Sequence, residues 1–404
     1  MNRVLIILAI TLFFSCKKES SNTLKLGTWR AEIEVSDKEI LPFNFEVTSA
    51  KCLKIFNADE VIFLDDITYR NDSVFINMPS FDGYYIAAKL TDDMLEGVFI
   101  QESRDRIVPF MAEFGIDERF VVSEQPKYNI SGRWETIFGD GNEYKEEEAL
   151  GIFVQNGNHV TGTFRTTTGD YRFLEGVLNG DQLKLSTFDG SHVYLFTATV
   201  SDSTLEGTYY SGNHFKEPYR AKRNETYDLP DPESLTALNE GYDTLEFSFP
   251  DTSDHMVSLK DDHFKNKVVV VQLMGSWCPN CLDETKFYSE YYREHRDQNI
   301  EFVALAFEYA KTKEKAFKSI ERLKHSIGIE YPVLLAQYGT TDKALAQEKL
   351  PMLNRVLSYP TTIILDKTGK VRKIHTGFNG PATGEKYIEF KKEFEGFIDK
   401  LLKE

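Results

Sequence analysis

The chain is short of cysteine, of positive charge and of long apolar runs, and each shortage excludes something. Four cysteines among 404 residues are too few for a disulfide-stapled scaffold, so each needs its own explanation. No run of about 20 apolar residues occurs, which excludes a helix that spans a membrane in the mature chain. Lys and Arg number 47 against 64 Asp and Glu, a net charge of −17. Phosphate contacts need clustered basic side chains, so no nucleic-acid partner is expected. The first half has no Gly-x-Ser-x-Gly, no phosphate-cradling glycine loop and no paired metal-ligand spacing. The length implies two to three domains. The acidity is uneven: 23 basic and 38 acidic residues precede Leu235, and 24 and 26 follow from it. Two different halves are therefore expected, a multidomain chain rather than one uniform domain.

Arg3 precedes an apolar run from Val4 to Phe14, the length of a signal-peptide core and about half a membrane span. Ser15-Cys16 follows, then the polar stretch Lys17 to Asn22. A small residue before a cysteine at this place resembles a bacterial lipoprotein cleavage site, with Phe13-Phe14 as a loose match. The resemblance implies removal of residues 1–15, a lipid on Cys16, a tether over 16–22 and attachment to a membrane of the cell envelope. An ordinary secretory signal with an incidental Cys16 is the plainer alternative. Either one places the mature chain outside the cytoplasm, on the periplasmic side.

The first half repeats itself. Gly27-Thr28-Trp29 recurs as Gly132-Arg133-Trp134, and Phe81-Asp82-Gly83 as Phe188-Asp189-Gly190. Leu95-Glu96-Gly97 recurs as Leu205-Glu206-Gly207, and Pro109-Phe110-Met111-Ala112 as Pro218-Tyr219-Arg220-Ala221. Four matches in order predict two related units, 22–122 and 127–225. Each has short alternating segments broken by Gly, Asn and Asp, which predicts antiparallel β-meanders closed into small barrels or sandwiches. The repeated Trp either closes a barrel end or lines a ligand cavity. The acidic loop Asp140-Gly141-Asn142 with Glu146-Glu147-Glu148 lacks calcium-loop spacing. Cys52, in an alternating strand, reads as a lone buried thiol.

Pro230 and Pro232 fall in a stretch over 226–236 that reads as a stiff extended spacer between the halves. Beyond it, 237–404 alternates strands and helices, an α/β pattern. The apolar run Val268–Leu273 feeds Met274-Gly275-Ser276-Trp277-Cys278-Pro279-Asn280-Cys281 and then a long helix. Two residues between cysteines let both sulfurs meet across one helical turn. Cys278 falls where unpaired backbone N–H groups favour a thiolate, and is expected to be the exposed nucleophile. Cys281, one turn in, is expected to be shielded and to resolve a mixed disulfide. Pro279 suits the first helical turn. A structural zinc would need a second ligand pair, and none exists. No metal or cofactor is expected beyond a redox-active Cys278–Cys281 disulfide.

Trp277-Cys278-Pro279-Asn280-Cys281 at a strand-to-helix turn resembles the thioredoxin active site, and Tyr359-Pro360-Thr361 precedes a strand where such proteins carry a cis-proline. An extra strand segment over 244–259 and an insert with its own helix between Tyr338 and Val356 bring it near the TlpA/ResA-type oxidoreductases. The resemblance implies a thioredoxin-like fold and a protein-disulfide reductase, with a disulfide-bearing protein as substrate and a membrane electron donor for re-reduction. Trp277, Asn280, Tyr359, Pro360 and Thr361 would shape the site around the cysteines. Cytoplasmic thioredoxins carry a buried Asp six residues before the first cysteine; here that place is Gln272, and the TlpA/ResA resemblance implies such a neutral amide. The resemblance places a Glu after the following strand, at Glu308, as acceptor of the Cys281 proton or as a strand cap. Rival readings are a peroxidase, whose Pro-x-x-x-Thr-x-x-Cys signature is absent, and a surface protein whose β-half binds a ligand or partner.

Overall fold

The computed structural model describes residues 23–36, 39–78, 81, 84–91, 93–101, 106–141 and 146–404. The signal segment, Cys16, the 16–22 tether, Asp82-Gly83 and Asn142 lie outside the described residues.

The β-half forms two antiparallel sheets, and an α/β unit follows, the arrangement expected from the sequence. In the first sheet the strand that comes first in sequence, Gly27–Glu34, pairs with the one that comes last in that sheet, Arg106–Phe114. Its outer strands, Glu60–Leu64 and Ile67–Arg70, are consecutive in the chain, so the sheet is nearly closed. The second sheet closes fully. Glu147–Asn156 pairs with both Gly132–Phe138 and His159–Thr166, and Phe215–Arg223 returns to Gly132–Phe138, leaving no free edge in the ring.

The repeat is visible atom by atom. Trp29 Nε1 donates to Lys25 O at 3.1 Å and Trp134 Nε1 to Ile130 O at 2.8 Å, each to the carbonyl four residues back. Both indoles are fully buried. Gly27 and Gly132, two residues ahead of each Trp, share φ of 121° and 116°, a conformation that glycine allows without strain. The second barrel is filled: Phe196 stacks on Tyr209 at 4.7 Å and packs against Phe164 at 4.8 Å. Such an interior is a packed core and not a ligand cavity.

The C-terminal sheet has five strands. Val333–Gln337, Ile300–Phe307 and Val268–Met274 run parallel; Thr361–Leu365 and Val371–Thr376 complete it antiparallel. Every residue of Val268–Met274 is buried, as its unbroken apolar run predicts. Helices α1 (Pro279–His295), α2 (Lys313–Ile327), α3 (Lys343–Lys349) and α4 (Glu385–Lys403) accompany it. Helix α3 is the insert read from the sequence, and Ser248–Pro250 with Met256–Ser258 forms the extra hairpin ahead of the sheet.

The 226–236 stretch corrects the spacer reading. It carries a single turn, Pro232–Ser234, and lies against the α/β unit. Glu233 pairs with Lys373 at 2.6 Å, Arg355 Nε donates to Leu235 O at 2.7 Å, and Thr376 donates to Thr236 at 2.8 Å. Prolines deny this segment regular structure, yet its polar groups find partners on the folded unit. The three bodies also share buried charge. Arg172, on the second barrel, meets Glu60 of the first sheet, Asp189 of its own barrel at 3.7 Å and Asp283 of α1 at 2.6 Å. Between the two sheets, Asn57 exchanges hydrogen bonds with Phe188, 2.9 Å to its O and 3.1 Å from its N.

Candidate active site

The strand Val268–Met274 ends in a tight turn at Gly275, where an added Cβ would come 2.4 Å from the Trp277 ring. Glycine is thus required for Trp277 to fold back, with Nε1 donating to Phe307 O at 3.0 Å. Cys278 is the N-cap of α1, and Pro279 occupies its first turn. The Cys278 sulfur accepts the Cys281 N–H at 3.2 Å. One of the helix's orphan donors is therefore spent on the sulfur. The Cys278 thiol in turn donates to Tyr359 O at 3.4 Å, and the Tyr359–Pro360 peptide is cis. Thr361 Oγ1 closes the loop on Ser358 O at 2.9 Å. The residues read from the two motifs thus meet at one place, with both cysteines free.

One expectation changes. Cys278 was expected to be exposed, but is only 4% accessible. The second barrel lies beside it: its segment Thr166–Arg172 rests on Asn280 and Ser358, with Asp170 N donating to Asn280 Oδ1 at 3.4 Å and Ser358 Oγ to Thr168 O at 3.3 Å. Lys343, at the start of α3, also faces the site. Burial lowers the pKa of its ammonium, opposed by the charges of Glu147 from the barrel and of Cys278.

Two buried acids lie near the dithiol. Glu308 is buried just after the strand Ile300–Phe307, and its carboxylate grips the active-site turn. Oε1 accepts from Ser276 N and Oε2 from Ser276 Oγ, both at 2.8 Å. A second buried carboxylate, Glu284, lies three residues beyond Cys281 in α1, and its charge adds to the upward shift of the Cys281 thiol. It is fully buried and meets only neutral donors: Gln272 Nε2 at 2.7 Å, Thr362 Oγ1 at 2.9 Å and Tyr288 OH at 3.2 Å. Burial pushes its pKa up to about 7 against the pull of those three bonds. Burial likewise raises the Cys281 thiol well above its ordinary value, with added contributions from Cys278 and Glu284. Gln272, which stands where a buried Asp was looked for, is thus the clamp of a buried acid supplied by the helix. The signal lay in the spacing Cys281-Leu282-Asp283-Glu284, which puts Glu284 on the helix face of Cys281.

Residues 240–388 match the Redoxin family model. A strand–turn–helix carrying two cysteines in such a unit defines a thiol–disulfide oxidoreductase domain of the thioredoxin/redoxin superfamily. Its relatives include thiol-disulfide oxidoreductase ResA of Bacillus subtilis, 28% identical over 143 residues, which cover 35% of this chain and 69% of that protein. The thioredoxin-like protein YneN of the same organism is 29% identical over 140 residues, 35% of this chain and 73% of that one. Among solved structures, a thiol-disulfide isomerase from Corynebacterium glutamicum is 16% identical, with a TM-score of 0.32, over 41% of this chain and 99% of that chain.

Proposed function

We propose that the protein is an extracytoplasmic, lipid-anchored oxidoreductase of the TlpA/ResA type that reduces protein disulfides through Cys278 and Cys281. The observation that carries this reading is the Cys278 sulfur itself. It receives the N–H of Cys281, touches the carbonyl of Tyr359 ahead of the cis proline, and has a buried acid beside its partner cysteine. Names of relatives that match the same stretch support it.

The chemistry runs in two exchanges. The Cys278 thiolate attacks one sulfur of the substrate disulfide; a Cys278–substrate disulfide forms, and the other substrate sulfur leaves as a thiolate that takes a proton. Glu284 then accepts the Cys281 proton, and the Cys281 sulfur attacks Cys278. The Cys278–Cys281 disulfide forms, and the second substrate thiol is released. Two electrons pass from the dithiol to the substrate, and a thiol-bearing membrane donor returns them. Trp277 walls one side of the dithiol, and the Tyr359 backbone offers strand-like pairing to a substrate peptide. Cys16 would carry the lipid that holds the chain at the periplasmic face of an envelope membrane.

The test is a trap. The Cys281→Ser protein, expressed with its leader, is expected to accumulate mixed disulfides between Cys278 and envelope proteins, sensitive to dithiothreitol and absent in Cys278→Ser. Recovery of no adduct from cells defeats the protein-disulfide reading.

A further inference from the structure

We propose that the hairpin Thr166–Arg172 of the second barrel is a tethered cap on the dithiol, and that a protein disulfide reaches Cys278 only when the barrel undocks. This rests on the dithiol reading above and adds its regulation.

The hairpin is built to sit there. Arg165 and Thr166 pair with Asp170 and Gly169, which makes a small two-stranded tip beyond the barrel rim. The tip runs between three parts of the site: Asn280 between the cysteines, Ser358 before the cis proline, and Gly377 after the strand Val371–Thr376. Gly169 approaches so closely that a Cβ there would lie 2.1 Å from Asn280 Nδ2. A Cβ on Gly377 would come 2.9 Å from the Thr167 carbonyl oxygen. Contacts this tight leave no gap for a substrate chain between the tip and the site. The tip therefore lies where an extended peptide would have to pass to pair beside the cis-proline loop.

The tip itself meets the site through polar contacts, while buried apolar residues of both sheets and of the α/β unit form one core behind it. Gly380 N donates to Asp170 Oδ2 at 2.7 Å, and Arg165 Nε donates to Asn379 Oδ1 at 2.8 Å. Arg172 NH1 reaches both Asp283 and, at 3.3 Å, the carbonyl of Pro279. Hydrogen bonds exchange with water at modest net cost, so the tip can part from the site and close again. The barrel is covalently tied to the α/β unit through 226–236, so an open cap stays nearby and recloses.

The test uses the reduced full chain and follows alkylation of Cys278 by peptide mass mapping, with iodoacetamide and with a polyethylene-glycol maleimide. Gly169→Ala wedges the tip against Asn280, and Asn379→Ala removes an anchor remote from the cysteines. Each is expected to speed Cys278 alkylation about 3- to 10-fold, the range for one lost buried hydrogen bond, with the larger gain for the bulky reagent. Cys281 stays protected if the variant is folded, which makes it the internal control. Should both variants unfold, amide exchange in the wild type decides: protection of Gly380 N–H matching the slowing of Cys278 towards the bulky reagent supports the cap. A freely exchanging Gly380, or folded variants reacting at the wild-type rate with both reagents, overturns it. If Cys278 behaves as expected yet no disulfide is reduced, the proposed function fails and the cap stands.

Discussion

Replacing Glu284 by Gln separates two consequences of one buried carboxyl. Its pKa of about 7 lies above the ordinary 4.5 because burial penalises the charge. A raised acid is protonated in the folded chain while ionised in the unfolded one, so the folded state binds more protons between these values. Its contribution to stability is full below about pH 4.5 and is lost as pH rises through about 7. A shift of this size corresponds to about 3 kcal/mol. The amide keeps the shape and can answer Gln272, Thr362 and Tyr288, so Glu284→Gln is expected to flatten the stability–pH slope between pH 5 and 8. The same change removes the acceptor of the Cys281 proton. With a small aromatic disulfide, the first thiol is released by Cys278 attack and the second by Cys281 attack. The first phase is expected to be unchanged and the second about 10²-fold slower, at the lower end of general-base contributions. The wild-type second phase should rise with pH through about 7, where the carboxylate forms, and the variant should lose that inflection. Unchanged release of the second thiol from pH 6 to 8 would remove Glu284 from the mechanism, and an unchanged unfolding slope would remove its raised pKa.

Two further outcomes follow from the geometry. Glu308→Gln keeps an acceptor for Ser276 N and a donor for Ser276 Oγ, so both thiol-release phases should change by less than about threefold; loss of the pH inflection in this variant would return the proton to Glu308. Arg172→Met leaves Asp283, Glu60 and Asp189 without their shared buried cation, and denaturant unfolding of the full chain should show a loss of about 3–5 kcal/mol; a neutral effect would mean these carboxylates are solvated.

The repeat was legible because each barrel must close around the same indole, and the Gly-x-Trp spacing survives where most of the intervening sequence does not. The dithiol was legible because two cysteines one helical turn apart have few other uses. Glu284 was not, because Leu282-Asp283-Glu284 on a charged helix reads as a solvated first turn. What buries it is Gln272, twelve positions earlier, and Thr362, 78 positions later. The neighbours of the dithiol were hidden for the same reason: residues 166–172, which rest on Asn280 and Ser358, are more than a hundred positions away and in a different fold. Prolines in 226–236 announce a break in regular structure and say nothing about what lies against it. Local pattern thus carried the elements, and partners distant in sequence decided the charges.

The neighbours Asp283 and Glu284 show how such partners set chemistry. Both are buried acids in the first two turns of α1, and sequence alone gives no reason to treat them differently. Asp283 points at Arg172, which comes from the barrel, and the pair is 2.6 Å apart. Glu284 points at the sheet and finds only an amide and two hydroxyls. A carboxylate facing a cation serves as an attachment; one facing neutral donors, as Glu284 does, is pushed towards its protonated form and can exchange a proton near neutral pH. The helix therefore divides its two acids between holding the barrel and serving Cys281. The division depends on docking for one and not for the other, since every partner of Glu284 belongs to the α/β unit. Undocking would free Asp283 to water while leaving the Glu284 cluster intact, so the site can open without losing its base.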